Sequence, residues 1–364
     1  MDSQILNVYV RGTCMHMCPE KERCLREREK LLHPREILDG TESLPKPLAD
    51  PKKTVKTFSR SAAGRKASSS SELRPLPVLE KTVSYLFSNL DFDRSEDWSS
   101  EYDFIFDRIR AVNQDAVIQG VDGWDCISLF ESISRFLVYS GYRLCCEPRY
   151  KYDPVINSKY LQECLKKILR LYDEQSMINQ GKICYNPEFE ALYLISNLGD
   201  YEAIHRGIEK KTYLRTRDFE IALAVSLAFW HGNYVRVFKL LKELPLLLSC
   251  AASLHVPAIR RRALKIMSIS YSSKNLRFPI KDLQSILNYS SEEYILEDCT
   301  HYKVCNTQGG VQFLKGSFDG TVELITPRPS VCLDQKLSSI NIPGMLLTGK
   351  EDYKTVKVTS NTGD

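Results

Sequence analysis

The chain has 364 residues, 43% of them hydrophobic and 26% charged, which is enough apolar material to bury a sizeable core. Lys and Arg number 50 against 46 Asp and Glu, a formal net charge of +4. So small a balance does not mark the whole chain as a nucleic-acid binder, and any basic footprint must be local. Residues 1–10 lack a basic region followed by an apolar run, so no secretory leader is expected. The apolar run Ile221–Trp230 is far shorter than the roughly 20 residues of a membrane span, and Lys242, Glu243 and Pro245 interrupt the one at 240–254. The 12 cysteines do not fall at disulfide-scaffold spacings. The expectation is a reducing compartment, with most of them acting as small buried apolar residues.

Residues 1–36 hold a cysteine-containing turn and then a charged helix started by Pro19, whose missing N–H is not needed at a helix N-terminus. Glu22 and Arg26 form an i,i+4 pair of the favourable orientation. With little apolar surface beyond Cys24, Leu25, Leu31 and Leu32, this helix should lie on a larger body. Residues 37–76 read as a basic linker containing Ser and Pro. Pro45, Pro47 and Pro51 break helix, and every ionisable residue from Lys52 to Lys66 is basic: Lys52, Lys53, Lys56, Arg60, Arg65 and Lys66. Such a strip is either a solvated loop or a targeting or phosphate-contacting segment.

From Pro77 the pattern is helical. Val78, Leu79, Val83, Leu86 and Phe87 repeat near 3.6, and further stripes follow at Tyr102–Val112, Ile127–Leu144 and Tyr160–Tyr172. Short connections such as Asp153-Pro154 and Gly199-Asp200 imply stacked antiparallel pairs over 77–256. No fixed-period repeat is present, so the array is irregular. The character changes after Lys274, and residues 257–325 read as a winged-helix-like end. A helix after Arg277-Phe-Pro279 and another from Glu292, capped by Ser290 or Ser291, precede short strands around Gly309-Gly310. That order is the order of a winged helix. Residues 326–364 are polar and aperiodic, and are expected to be a mobile tail.

Six blocks, in order, resemble one family. They are Arg11-Gly-Thr-Cys-Met-His-Met-Cys-Pro-Glu-Lys-Glu-Arg23, Phe58-Ser-Arg-Ser-Ala-Ala63, Leu73-Arg-Pro-Leu-Pro-Val-Leu79, Tyr102-Asp-Phe-Ile-Phe-Asp-Arg-Ile-Arg-Ala111, Asn233-Tyr-Val-Arg-Val-Phe-Lys-Leu240 and Arg277-Phe-Pro279. The family is Sac-three/GANP, scaffolds of mRNA export coupled to transcription at the nuclear pore. The resemblance implies an all-α fold: an irregular TPR/HEAT-like array followed by a PCI-like winged helix with a small β-hairpin. It also implies a PCI-domain protein and a small acidic Sem/DSS-type subunit as partners. Contact with RNA or DNA is a further expectation, and no membrane contact is expected, because no apolar run is long enough to span one. Short members of the family add an alternative, a centrosome and spindle role in centrosome duplication and mitosis through protein binding alone. The expected location is accordingly the nucleus, or else the centrosome, spindle and cytoplasm.

No enzyme signature stands out, and neither a cofactor nor a metal is expected. Cys14, His16, Cys18 and Cys24 invite a zinc reading, but no second cysteine pair completes a tetrahedral set. Residues 344–350 resemble a phosphate-binding loop, yet Glu351 stands where Ser or Thr must reach magnesium. Arg108 and Arg110, set among Asp103, Asp107 and Asp115, read as ion-pair formers. The best binding candidate is the stretch from Pro257 to Ile269. At about 100° per residue, Ile259, Ala263, Ile266 and Met267 share a face, and Arg261 and Lys265 fall opposite. Arg262 lies at the edge. Arg261, Arg262 and Lys265 are the expected phosphate contacts. Arg260 leans to the apolar side and is expected to pair with a carboxylate such as Asp218 or Glu220.

Overall fold

The computed structural model describes residues 9–60, 69–89, 98–178, 185–307 and 310–353. The chain divides into two units, residues 1–134 with 342–350, and residues 135–341 with 351–364. In chain order the first unit contains α1 (Glu20–Arg28), α2 (Leu76–Ser88), α3 (Trp98–Ile118) and the start of α4 (Ile127–Arg143). The second contains the rest of α4, α5 (Pro154–Ile178), α6 (Pro187–Ser196), α7 (Tyr201–Lys210), α8 (Arg217–Trp230), α9 (Tyr234–Leu241) and α10 (Leu246–Ser253). It continues through α11 (Val256–Ser270), α12 (Ile280–Leu287), α13 (Glu292–His301), the hairpin β1 (Cys305–Thr307) and β2 (Gly310–Gln312), and α14 (Val331–Ser339). The last helix, α15 (Ile342–Thr348), belongs to the first unit.

In the first unit the expected stripes bury as read. Val78, Leu79, Val83, Leu86 and Phe87 of α2 and Ile105, Ile109 and Val112 of α3 are at most 5% exposed, each such side chain contributing about 1.5–3 kcal/mol by leaving water. Met345 and Leu346 of α15 pack on α2. The α1 helix reverses the usual polarity: Leu25 is exposed while Arg26 is buried. Acidic residues in its first turn and Arg26 and Arg28 in its last suit the helix dipole.

In the second unit α6 is the central helix. Its residues Phe189–Ile195 are buried all round, against α5, α7, α8 and α10. The one charge in that run, Glu190, accepts hydrogen bonds from Arg206 Nε at 2.9 Å and Nη2 at 2.6 Å. Arg206 also holds Asp173, which Lys210 reaches at 2.8 Å. Helix starts are set by side chains that accept from free backbone N–H groups: Asn186 for α6, Asp200 for α7 and Asn233 for α9.

After α11 the chain follows the expected order of helices and then a hairpin. Ser291 caps α13, accepting from Tyr294 N at 3.4 Å. β1 pairs antiparallel with β2, Asn306 opposite Val311. Phe278 and Val311 then exchange both backbone hydrogen bonds, at 2.8 and 2.9 Å, so the Arg277-Phe-Pro279 segment lies against the outer edge of the hairpin. A Cβ on Gly310 would stand 2.7 Å from Phe278 O, so only glycine permits that approach. Within 326–353, read from sequence as a tail, the structure has α14 and α15, and Leu337, Ile340 and Ile342 are buried. These helices are short and lack a long apolar period, so sequence periodicity passes them by.

Candidate functional site

Four of the six sequence blocks meet around two buried carboxylates in the first unit. Glu36 Oε2 accepts from Arg26 Nη1 at 2.7 Å, and Glu36 also receives Arg108 Nη2 and Val55 N. Burial would raise its pKa, but Arg108, Arg26 and the Val55 N–H outweigh that and hold the carboxyl below its ordinary value. Asp115, fully buried, accepts from Lys56 Nζ at 2.6 Å and from Arg74 Nε at 2.7 Å. Arg74 Nη1 and Lys56 N in turn both donate to Met17 O. Arg108 is thus the ion-pair former the sequence implied, and it also pairs with Asp107. Arg110 instead stacks on Phe58, 3.8 Å from the ring centre. Gly12 lies against this core. Its N–H donates to Gln119 Oε1, and a Cβ there would collide with the Leu73 carbonyl.

This constellation is an internal clasp. Arg26, Arg108, Arg74 and Lys56 each face a buried carboxylate of this chain, which suits holding segments together more than binding a ligand. It also takes Lys56 out of the basic strip, and Lys53 pairs with Asp39; Arg65 and Lys66 lie outside the described residues.

The N-terminal thiols are not gathered. Cys14 and Cys18 are buried, whereas His16 and Cys24 are exposed. Cys18 receives a hydrogen bond from Arg26 Nη2 at 3.7 Å, and burial pushes its thiol up to about 12. Among the described residues no three His, Cys, Asp or Glu side chains are grouped as metal ligands. The residues resembling a phosphate-binding loop are mostly coiled into α15, and Thr348 Oγ1 donates to Gly344 O. Glu351 accepts from Leu246 N at 3.0 Å, which opens α10.

On α11 the four cations separate by task. Arg260 is structural, but its partners differ from the expected carboxylates. Its Nε donates to Leu287 O at 3.2 Å and its Nη2 to Asn288 O at 2.6 Å, closing the C-terminus of α12, where Asn288 turns left-handed at φ +52°. Its guanidinium lies 3.7 Å from the Tyr289 ring centre, and burial lowers its pKa. A backbone carbonyl partner leaves no mark in a sequence, whereas a carboxylate does, and that is why Asp218 and Glu220 stood out. Arg262 donates to Phe229 O at 2.8 Å and stacks on that ring, holding the last turn of α8. It remains exposed, with donors to spare. Arg261 is half-buried and Lys265 exposed, and neither makes an ion pair among the described residues. Buried Ile259, Ala263, Leu264 and Met267 form the opposite face.

A mostly helical chain, 60% helix with fifteen helices and a single two-stranded hairpin among the described residues, whose signature residues knit its own segments together, has the character of a helical scaffold. The chain belongs to the SAC3/GANP family, whose model it matches over residues 17–308. It is 28% identical over 313 residues to SAC3 family protein 1 of Schizosaccharomyces pombe, covering 80% of this chain and 30% of that protein. It is 25% identical over 297 residues to SAC3 family protein B of Arabidopsis thaliana, covering 78% of this chain and 17% of that one. It is 26% identical over 330 residues to protein xmas of Drosophila melanogaster, covering 87% and 16%. The chain thus spans under a third of the length of each of these relatives.

Proposed function

We propose that the protein is a non-enzymatic scaffold in mRNA export coupled to transcription. In this reading the helices of 77–256 hold a PCI-domain partner, with a small acidic Sem/DSS-type subunit completing the assembly. Residues 257–325 act as a PCI-like winged helix, whose basic side on α11 contacts RNA or DNA. Family membership over residues 17–308 is the observation that carries the scaffold reading. The order α11, α12, α13 and hairpin, with Phe278 added at the hairpin's edge, supports the winged helix. For the nucleic-acid contact the support is Lys265 and Arg261, cations without an ion-pair partner among the described residues, beside the exposed Arg262. Phosphate contacts need exposed cations on a firm support, and the buried face of α11 supplies one.

Affinity purification of the tagged chain from nuclear and from mitotic extracts tests this assignment. The reading expects a PCI-domain protein and export factors from the nuclear extract. Recovery of centrosome or spindle proteins alone would replace it with the centrosomal role. The expected site of action is the nucleus.

A further inference from the structure

A cleft of about 430 Å³ opens within the second unit, between α10, α11, the turn joining α12 to α13, and residues 325–336. That volume falls in the range of about 300–1,000 Å³ typical of small-molecule sites. Its walls are part apolar, with Ala252, Val256, Pro257 and Leu333 among them, and its charges are unequal. Lys242, Arg260, Arg328 and Lys336 line it against the single carboxylate of Asp298.

That carboxylate is already spoken for. Asp298 Oδ1 accepts from Arg328 Nη1 at 3.0 Å and Oδ2 from the Tyr289 hydroxyl at 2.8 Å. Arg328 is in turn matched by Asp298 together with Glu297, 2.9 Å away. Arg260 has no ion-paired carboxylate among the described residues. Its two hydrogen bonds go to the carbonyls of Leu287 and Asn288, and its Nη1 has no hydrogen-bond partner among the described residues. Lys242 and Lys336, both exposed, likewise have no ion pair among the described residues. Three cations without an ion pair among the described residues therefore line one partly apolar cleft. Arg260 is half-buried, so it gives up part of its hydration without gaining a carboxylate in return, and an entering anion would supply that counter-charge.

We propose that this cleft binds a small organic anion, its apolar body against α10 and α11 and its carboxylate, sulfonate or phosphate group on Arg260, with Lys242 and Lys336 at the rim. A guanidinium presents its N–H groups as a planar fork that fits such an oxyanion group. The site is separate from the phosphate contacts proposed for Arg261 and Lys265. Those residues do not line the cleft.

Two fluorescent probes that differ only by a sulfonate test the proposal on the full chain: anilinonaphthalene sulfonate and uncharged phenyl-naphthylamine. The sulfonate is expected to saturate one site per chain, and to bind more tightly than the neutral probe by about tenfold or more, the worth of a charge-assisted hydrogen bond. Lys242→Glu with Lys336→Glu, two exposed rim positions, should weaken sulfonate binding severalfold while the melting curve stays that of the wild type. Arg260→Met should weaken it further in whatever fraction circular dichroism shows to be folded. Equal affinity for the two probes, an unchanged sulfonate affinity in the rim variant, or no saturable binding would each overturn the proposal.

Discussion

Asp115→Ala removes the one carboxylate shared by Arg74 and Lys56. Asp115 and Arg74 are both fully buried and Lys56 is 9% exposed, so water cannot take the place of the lost anion. Three hydrogen bonds go with it, from Lys56 Nζ at 2.6 Å, Arg74 Nε at 2.7 Å and Arg74 N at 3.3 Å. Summed as independent charge-assisted bonds at about 1.5–3 kcal/mol each they would overstate the loss, because they share one acceptor group and are not additive. The better guide is the removal of one partner from a buried ion pair, about 3–5 kcal/mol. Asp115→Asn keeps an acceptor oxygen and should lose less. Urea denaturation followed by tryptophan fluorescence measures this. Of the three tryptophans, Trp98 and Trp124 lie in the first unit, so a Trp230→Phe background reports that unit alone. A loss under about 1 kcal/mol for Asp115→Ala, with an unchanged denaturant slope, would refute the view that this clasp holds the first unit together.

Three further outcomes follow from the same geometry. Glu36 has its folded pKa depressed, so its contribution is present above the ordinary glutamate value of about 4.3 and is lost as pH falls through the lower folded value. Denaturation of the first unit between pH 5 and pH 3 should therefore show falling stability, with a shallower fall in Glu36→Gln; equal slopes would contradict this. Arg260→Glu should lower the stability of the second unit by about 2–4 kcal/mol, since a carboxylate cannot donate to the Leu287 and Asn288 carbonyls. A wild-type thermal melt for that variant would return Arg260 to the surface. Gly310→Val places a Cβ 2.7 Å from Phe278 O and should part the hairpin from the Arg277-Phe-Pro279 segment. Faster amide exchange at Phe278 and Val311 than in the wild type is the expected sign.

The helices were legible because their information is local. The spacing of Val78, Leu79, Val83, Leu86 and Phe87 follows the helix period, and all five are buried. The hairpin was legible for the same reason, from Gly309-Gly310 between short apolar runs. Partners across the chain were not. Glu36 joins Arg26 and Arg108 across separations of 10 and 72 residues, and no spacing rule reaches that far. Lys56, read with its neighbours as part of a solvated or phosphate-contacting strip, is buried because Asp115 waits 59 residues on. On α11 the helical period correctly set Arg260 apart from Arg261 and Lys265. It could not foresee that Arg260 and Arg262 would cap helix ends through backbone carbonyls, a kind of partner every residue offers alike. Tyr142, whose hydroxyl meets Ser330 and Asp334 in the region read as a tail, shows why 326–353 is ordered: its contacts are made with residues far earlier in the chain.

The measurement that bears most directly on the proposed function is RNA binding by the purified chain at two or more salt concentrations, with Arg261→Glu/Lys265→Glu alongside. Phosphate contacts carry no base information, so the double variant should bind every RNA sequence more weakly and lose no preference. Its slope of log affinity against log salt should shrink by roughly 1–2, since each neutralised phosphate contributes about 0.7–0.9. The melting curve should be unchanged, because neither side chain belongs to the buried face of α11. Unchanged RNA affinity in the folded double variant would remove α11 from the binding surface and contradict the account in favour of a scaffold that binds protein alone.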